Sequence, residues 1–282
     1  MDRYAVVGHP IEHSKSPMIH AMFAKQTEQS MTYGKIEAPL DGFEACVLDF
    51  FASSDGKGLN VTVPFKEQAW ALCTSRTERA ELAGAVNTLF LDEKGQIRGD
   101  NTDGIGLVSD LKNHGIELKD KKILIVGAGG AVRGVLQTIL KELPKKLVIC
   151  NRTQHKADTL AETFGGLGAV ASCSFDAFSR KMDKSEDGVC SDTFDLVING
   201  TSASLTGKLP PISSTVIAEH TVSYDMMYGS SETVFNHWAR DAGAAQSIDG
   251  LGMLVEQAAE AFSIWRACVP QTDDVMVALR TL

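Results

Sequence analysis

Two rhythms of apolar positions alternate along this chain. Short, nearly continuous apolar runs recur, and between them apolar residues fall every three or four positions. The runs read as strands and the longer period as helices. In the first hundred residues, strands are expected at 4–7, 31–38, 58–63 and 86–91, with a short return at 96–98 after the turn Glu93-Lys94-Gly95. Helices are expected from Pro17 to Phe23, over 43–51 and from Phe65 onward. Ser16 is the expected N-cap of the first, and Pro17 sits near the position where proline is favoured. Helical spacing resumes at Ile105, Val108 and Leu111 and stops at Gly115.

The clearest junction is Ile123-Leu124-Ile125-Val126 followed by Gly127-Ala128-Gly129-Gly130 and a helical pattern through Val135, Leu136, Ile139 and Leu140. A glycine corner lets the backbone turn sharply and approach a ligand. The helix start beyond it offers free N–H groups and the positive end of its dipole to a phosphate. A dinucleotide pyrophosphate site and an ordinary tight strand–helix turn both fit, and Val132 stands where G-x-G-x-x-G has glycine or alanine.

Beyond the corner the strand–helix rhythm repeats. Strands are expected at 146–150, 169–173, 194–199, 221–226 and 244–247, and helices at 155–164, 253–267 and 273–279. The polar, lysine-rich stretch 180–192 reads as a surface loop or short helix. Such alternation predicts an α/β chain with parallel sheets covered on both faces. The expected layout is an N-terminal α/β substrate-binding and catalytic domain, residues 1–104 plus 250–282. A Rossmann-type doubly wound domain, residues 105–249, accompanies it, and the last helices return to the first domain.

Composition narrows the class. With 44% hydrophobic and 22% charged residues the chain is that of a globular protein, and no run approaches the roughly 20 apolar residues a membrane span needs. The N-terminus enters a strand pattern directly, so a cytoplasmic protein without a membrane partner is expected. A net charge of −9 argues against a general nucleic-acid surface, so positive charge for any anionic ligand must be local. Cys46, Cys73, Cys150, Cys173, Cys190 and Cys268 are scattered without a C-x-x-C and read as reduced thiols. His9, His13 and His20 lack a shared helix because Pro10 intervenes, and no metal is expected.

Several residues carry candidate chemistry. Asn151-Arg152-Thr153 follows the second strand of the glycine-corner unit, about 20-odd residues on, where an acid would hold a ribose 2′-hydroxyl. No acid is present there. Arg152, with Lys156 nearby, suits a 2′-phosphate and hence NADP, although a lone arginine is commonly just solvated. Asn60 and Thr62 share one face of an apolar strand, and Lys66 follows its terminating proline. Asp103 opens a helix after Gly99-Asp100-Asn101-Thr102, and Ser14 and Ser16 precede another; capping alone accounts for each.

Taken together the motifs resemble one family, shikimate dehydrogenase. They run S-K-S-P from Ser14, N-V-T-V-P-F-K ending at Lys66, A-G-A-V-N-T ending at Thr88 and G-D-N-T-D-G around Asp103. G-A-G-G-A-x-R-G from Gly127, N-R-T at 151–153, Y-D-M-x-Y from Tyr224 and D-G-L-G-M-L-V-x-Q from Asp249 complete the set. The resemblance implies reversible, NADPH-dependent reduction of 3-dehydroshikimate to shikimate, with Lys66 and Asp103 catalytic. It implies substrate contacts from Ser14, Ser16, Asn60, Thr62, Asn87, Asp103, Tyr228 and Gln257. On the cofactor side it implies Gly127, Ala128, Gly129, Gly130, Ala131, Asn151, Arg152, Thr153, Lys156, Thr201, Met226, Gly250 and Glu78. The small-molecule partner would be met by a monomer or homodimer. Gly200 departs from the family's usual alanine or threonine. A quinate/shikimate dehydrogenase with relaxed cofactor use, and a regulator that kept the pocket but lost catalysis, are the competing expectations.

Overall fold

The computed structural model describes residues 1–179 and 193–281, so the expectation for 180–192 lies outside the described residues. The chain forms two compact units, Met1–Leu107 with Leu254–Leu282, and Val108–Met253.

The first unit begins β1 (Asp2–Gly8), α1 (Ser16–Gln26), β2 (Met31–Glu37), α2 (Phe43–Ala52) and β3 (Gly56–Val61), with β1 parallel to both β2 and β3. Next come α3 (Lys66–Leu72), β4 (Ser75–Arg76), α4 (Glu78–Ala83), β5 (Thr88–Leu91) and β6 (Ile97–Asp100). Six strands make a sheet in the order β2-β1-β3-β5-β6-β4. It is mixed, not wholly parallel as the strand–helix alternation predicts: the expected return strand makes β6 antiparallel to β5, and β5 also runs antiparallel to β3. The link between β5 and β6 is too short for a crossover. Asp92 closes it by accepting from the N–H groups of Lys94 and Gln96, each at 2.9 Å, and only antiparallel strands tolerate so tight a turn. The sequence pattern also missed β4 and α4. Two residues show no period, and α4 depends on a cap, with Thr77 accepting from Ala80 N–H at 3.4 Å and Gly84 closing it at φ +57°.

The N-cap expectation for α1 is corrected. Lys15 occupies that position without a side-chain bond, Ser16 is already helical and buried, and Ser14 Oγ accepts from the Ser16 N–H at 3.3 Å. Phe43 and Phe65, stacked 4.8 Å apart, centre a core with Val47, Phe50, Leu59, Val61 and Leu89.

The chain leaves this unit within α5 (Asp103–Asn113). The second unit contains β7 (Lys122–Val126), α6 (Gly130–Lys141), β8 (Lys146–Asn151), α7 (Gln154–Phe164), β9 (Val170–Ser174) and α8 (Asp176–Ser179). β10 (Leu196–Asn199), β11 (Val222–Asp225), α9 (Val234–Asp241) and β12 (Gln246–Asp249) follow. The sheet order is β12-β11-β10-β7-β8-β9 with every adjacent pair parallel. This is the doubly wound Rossmann arrangement, whose order reverses between β7 and β10. The sequence reading missed α9, whose eight residues include Asn236, His237, Arg240 and Asp241; Thr233 caps it by accepting from Asn236 N–H at 3.3 Å.

α10 (Leu251–Arg266) and α11 (Asp273–Arg280) bring the chain back to the first unit. There Trp265 Nε1 donates to the Leu89 carbonyl at 3.2 Å, Arg266 reaches Asp2 and the Tyr4 hydroxyl, and Gln271 N–H bonds the Gln26 side chain at 2.8 Å.

Candidate active site

In the first unit, Lys66 is the first residue of α3. Its backbone is fixed on both sides: Phe65, fully buried, bonds back to the Thr62 carbonyl at 3.0 Å, and the Lys66 carbonyl accepts from Val86 N–H at 2.9 Å. Asp103 opens α5, and its N–H is held by Asn101 Oδ1 at 3.1 Å. Lys66 Nζ donates to Asp103 Oδ2 at 2.6 Å, with the lysine side chain 29% exposed and the aspartate 10%. An aimed, charged donor with one flank toward solvent is therefore backed by a nearly buried carboxylate.

Asn87 is the hub beneath this pair. Its amide nitrogen donates to Asp103 Oδ1 at 2.8 Å and Thr102 Oγ1 at 3.0 Å, and its oxygen accepts from Thr102 N–H at 2.9 Å and the Thr88 hydroxyl at 2.8 Å. The Thr102 hydroxyl reaches on to Gln257 Oε1 at 3.4 Å, and Gln257 Nε2 donates to the Leu254 carbonyl at 2.8 Å. Asn60 joins from β3, donating to the Asn87 carbonyl at 3.2 Å and Thr88 Oγ1 at 3.3 Å. Five of the expected residues, Lys66, Asp103, Asn87, Gln257 and Asn60, thus share one hydrogen-bonded web. Thr88 and Thr102 belong to it as well; they lie inside the same motifs but nothing in the pattern separated them from their neighbours.

Thr62 leaves β3 beside Gly8, where an added Cβ would meet the Thr62 methyl at 2.5 Å. Ser14 and Ser16 are tied to one another at the start of α1. A partly buried arginine supports the Asp103 loop from behind: Arg79 binds Asp100 through two bonds of 2.7 Å and Glu260 at 2.8 Å, and Asp100 accepts from the Asn101 N–H at 2.7 Å.

The remaining candidates lie in the second unit, except Glu78, which is exposed at the start of α4 in the first. Gly127 sits at φ +114°, a conformation side chains disfavour, and an added Cβ there would be 3.2 Å from Thr201 and 3.3 Å from the Gly200 backbone. At Gly129 and Gly130 an added Cβ would meet nothing within 4 Å, and the first turn of α6 has no side-chain cap. The helix therefore presents uncapped N–H groups behind an open glycine surface, which fits a dinucleotide's pyrophosphate. Ala128 and Ala131 flank those glycines with small side chains.

Across the sheet's switch point, Asn199 Oδ1 holds both the N–H and the hydroxyl of Thr201, at 3.0 and 2.7 Å, while Asn199 Nδ2 donates to Asp225 at 2.9 Å. Burial pushes the Asp225 carboxyl above its usual value even though Ser204, Thr233, Met227 N–H and Asn199 all bond it. Met226 is buried, and Gly250 lies so close that an added Cβ would be 2.3 Å from the Met226 carbonyl. Tyr228 follows in the same loop, its phenol pushed up by burial and by Asp249.

After β8, Arg152, Thr153 and Lys156 are exposed, and Asn151 Nδ2 braces their loop by donating to the Thr153 carbonyl at 2.9 Å. Two cations beside an uncapped helix start suit a phosphate on the ribose. The residues present accordingly fit NADP. Among the described residues, no group of three histidine, cysteine or acidic side chains is arranged to hold a metal.

Known proteins match along the whole chain. Family models match the shikimate dehydrogenase substrate binding domain over residues 6–89, shikimate / quinate 5-dehydrogenase over 110–204 and the shikimate 5'-dehydrogenase C-terminal domain over 250–280. Shikimate dehydrogenase (NADP(+)) of Alkalilimnicola ehrlichii is 54% identical over 280 residues, covering 99% of this chain and 98% of that protein. The crystal structure of an Ael1 enzyme from Pseudomonas putida is 44% identical, with a TM-score of 0.90 over 99% of this chain and 98% of the other. Shikimate 5-dehydrogenase from Thermus thermophilus, solved with NADP(H) and shikimate, is 30% identical, with a TM-score of 0.84 over 100% and 99% of the two chains.

Proposed function

The chain belongs to the shikimate dehydrogenase family, and from that premise we propose that it catalyses the reversible, NADP-dependent reduction of 3-dehydroshikimate to shikimate in aromatic amino-acid biosynthesis. The observation that carries the catalytic assignment is the 2.6 Å contact between Lys66 Nζ and Asp103 Oδ2, with the lysine still partly open to solvent.

NADPH supplies the hydride when bound. Gly127, Ala128, Gly129, Gly130 and Ala131 with the α6 start hold its pyrophosphate; Asn151, Arg152, Thr153 and Lys156 hold the 2′-phosphate; Thr201, Met226 and Gly250 line the side toward the nicotinamide. Glu78 stays assigned to the cofactor on family resemblance alone. As the ketone carbon is reduced, its oxygen gains charge and needs a proton. The Lys66 ammonium stabilises that charge and donates the proton; in the reverse direction the neutral amine takes it back. Asp103 keeps the amine aimed and accepts from a ring hydroxyl. Asn87 and Gln257, oriented by the web, bind further hydroxyls with Asn60, Thr62 and Tyr228, and Ser14 and Ser16 donate to the substrate carboxylate.

A net charge of −9 supports a small-molecule substrate and not nucleic acid as the partner. No helix among the described residues is long and apolar enough to cross a membrane. The working form we propose is a cytoplasmic monomer or homodimer.

The test follows NADPH absorbance with shikimate or quinate against NADP or NAD. The expected result is fast turnover of shikimate with NADP only. Comparable quinate turnover favours a broader dehydrogenase, and cofactor binding without turnover favours a regulator. Lys66→Ala should lose about 10²- to 10⁴-fold in kcat with little change in the KM for shikimate. Near-native turnover in that variant removes Lys66 from the chemistry.

A further inference from the structure

Two aromatic side chains behind Asn60 have no role in the reaction just described. Asn60 is 6% exposed, and a buried amide is useful to a ligand only if its oxygen and nitrogen are held in one sense. On one side, the Asn87 carbonyl and Thr88 hydroxyl engage its nitrogen. On the other, the Tyr33 hydroxyl donates to its oxygen at 2.7 Å, the shortest bond Asn60 makes among those described.

Tyr33 reaches Asn60 from β2, the edge strand of its sheet, with β1 between them. An edge residue needs something to hold its ring, and His20 of α1 supplies it. The two rings stack 4.1 Å apart at 7° to one another. His20 is fully buried and neither ring nitrogen has a hydrogen-bond partner among the described residues. Burial, only partly offset by the nearby Asn60 side chain, pushes the imidazole down to about 3, so it stays uncharged at neutral pH. Phe23, Phe262 and Trp265 pack around it with centroids 5.9, 6.1 and 5.4 Å away. His20 therefore serves as a flat plate set in an aromatic cluster, with Tyr33 laid upon it. The Tyr33 phenol is itself pushed well up by burial, with the Ser16 side chain offsetting a part, so it remains a donor.

We infer that Tyr33, clamped face to face on His20, is a positioning residue for substrate binding, orienting the Asn60 amide toward a hydroxyl of the polyol ring. The inference rests on the substrate reading proposed above. It assigns Tyr33 no contact with the reacting atoms, so its loss should weaken substrate binding and spare the chemical step.

Tyr33→Phe keeps the stacked ring and removes only the hydroxyl. The expected result is a KM for shikimate raised about tenfold, the ordinary worth of one hydrogen bond, with kcat and the KM for NADP within about twofold. In a double-mutant cycle, Tyr33→Phe should add nothing further to Asn60→Ala, because its effect passes through that amide. An unchanged KM in Tyr33→Phe, or an equal fall in kcat, overturns the inference, as does full additivity with Asn60→Ala. Should the paired variant not fold, the split between KM and kcat in Tyr33→Phe decides alone. Wild-type enzyme in the same assay separates the two readings: no shikimate turnover there defeats the proposed function, whereas turnover with an unaffected Tyr33→Phe defeats only this inference.

Discussion

Arg152 stands exposed immediately after β8, and no acidic residue shares its Asn151-Arg152-Thr153 loop. A guanidinium there is neutral toward a ribose hydroxyl and strongly favourable toward a phosphate. Arg152→Ala should raise the KM for NADP about tenfold while leaving that for NAD unchanged, and steady-state kinetics with both cofactors check it. An unaltered preference would put the 2′-phosphate contact elsewhere. His20 makes a second single-residue prediction, on stability. Its imidazole titrates near 6.5 when unfolded and is pushed down to about 3 when folded, burial being the cause. Between those values the unfolded chain binds a proton that the native chain refuses. The stabilising effect is therefore complete above about pH 6.5 and is lost as pH falls toward 3. The melting temperature of His20→Phe should fall less steeply with acid than that of the wild type; parallel curves would show that the ring is not held neutral.

At the scale of elements, the corner from β7 to α6 explains its own irregularity. The third glycine of the Rossmann fingerprint normally lets the helix approach the sheet closely. Here Val132 fills that place, fully buried, and the room comes from Gly200 at the end of β10, where an added Cβ would lie 2.3 Å from Val132 Cγ2. The two departures from pattern, Val132 and Gly200, are thus one exchange of volume. Gly200→Ala should destabilise the chain by about 1–3 kcal/mol through overpacking, and adding Val132→Ala should recover most of it in urea unfolding. Additive losses would mean the contact does not govern the corner. The clamp joining α4, β6 and α10 carries a larger cost. Arg79→Ala leaves the Asp100 side chain, 5% exposed, without its charged partner. A loss of about 3–5 kcal/mol is expected, and Arg79→Lys should restore only part of it because a point charge cannot make both bonds.

At the scale of the whole molecule, the last helices matter most to the unit that begins the chain. Trp265 lies 4.8 Å from the Tyr4 ring and so close to Gly58 that an added Cβ there would be 2.5 Å from its indole nitrogen. Trp265→Ala should cost about 3–5 kcal/mol, seen as a lowered melting temperature, while NADP affinity measured by fluorescence titration stays unchanged. Loss of cofactor affinity would show that the defect spreads beyond the first unit. The apolar rhythm of the chain was enough to find the strands of both sheets apart from the two-residue β4, the glycine corner and the cationic loop after β8, and its motifs marked Lys66 and Asp103. Those features are local: each reports which side of a short segment faces the core, or which few residues make a turn. The turn at 93–95 and its return strand were legible. The antiparallel pairing of β5 with β3, the short α9 and the capped α4 were not, because strand neighbours far apart in sequence, or a single capping bond, decide them against a weak period. Nor did the sequence show that Thr102 joins Asn87 to Gln257, that Arg79 backs the Asp103 loop or that Tyr33 reaches past β1 to Asn60. A hydrogen bond between residues far apart in sequence depends on direction and distance after the chain has closed, and periodicity along the chain encodes neither.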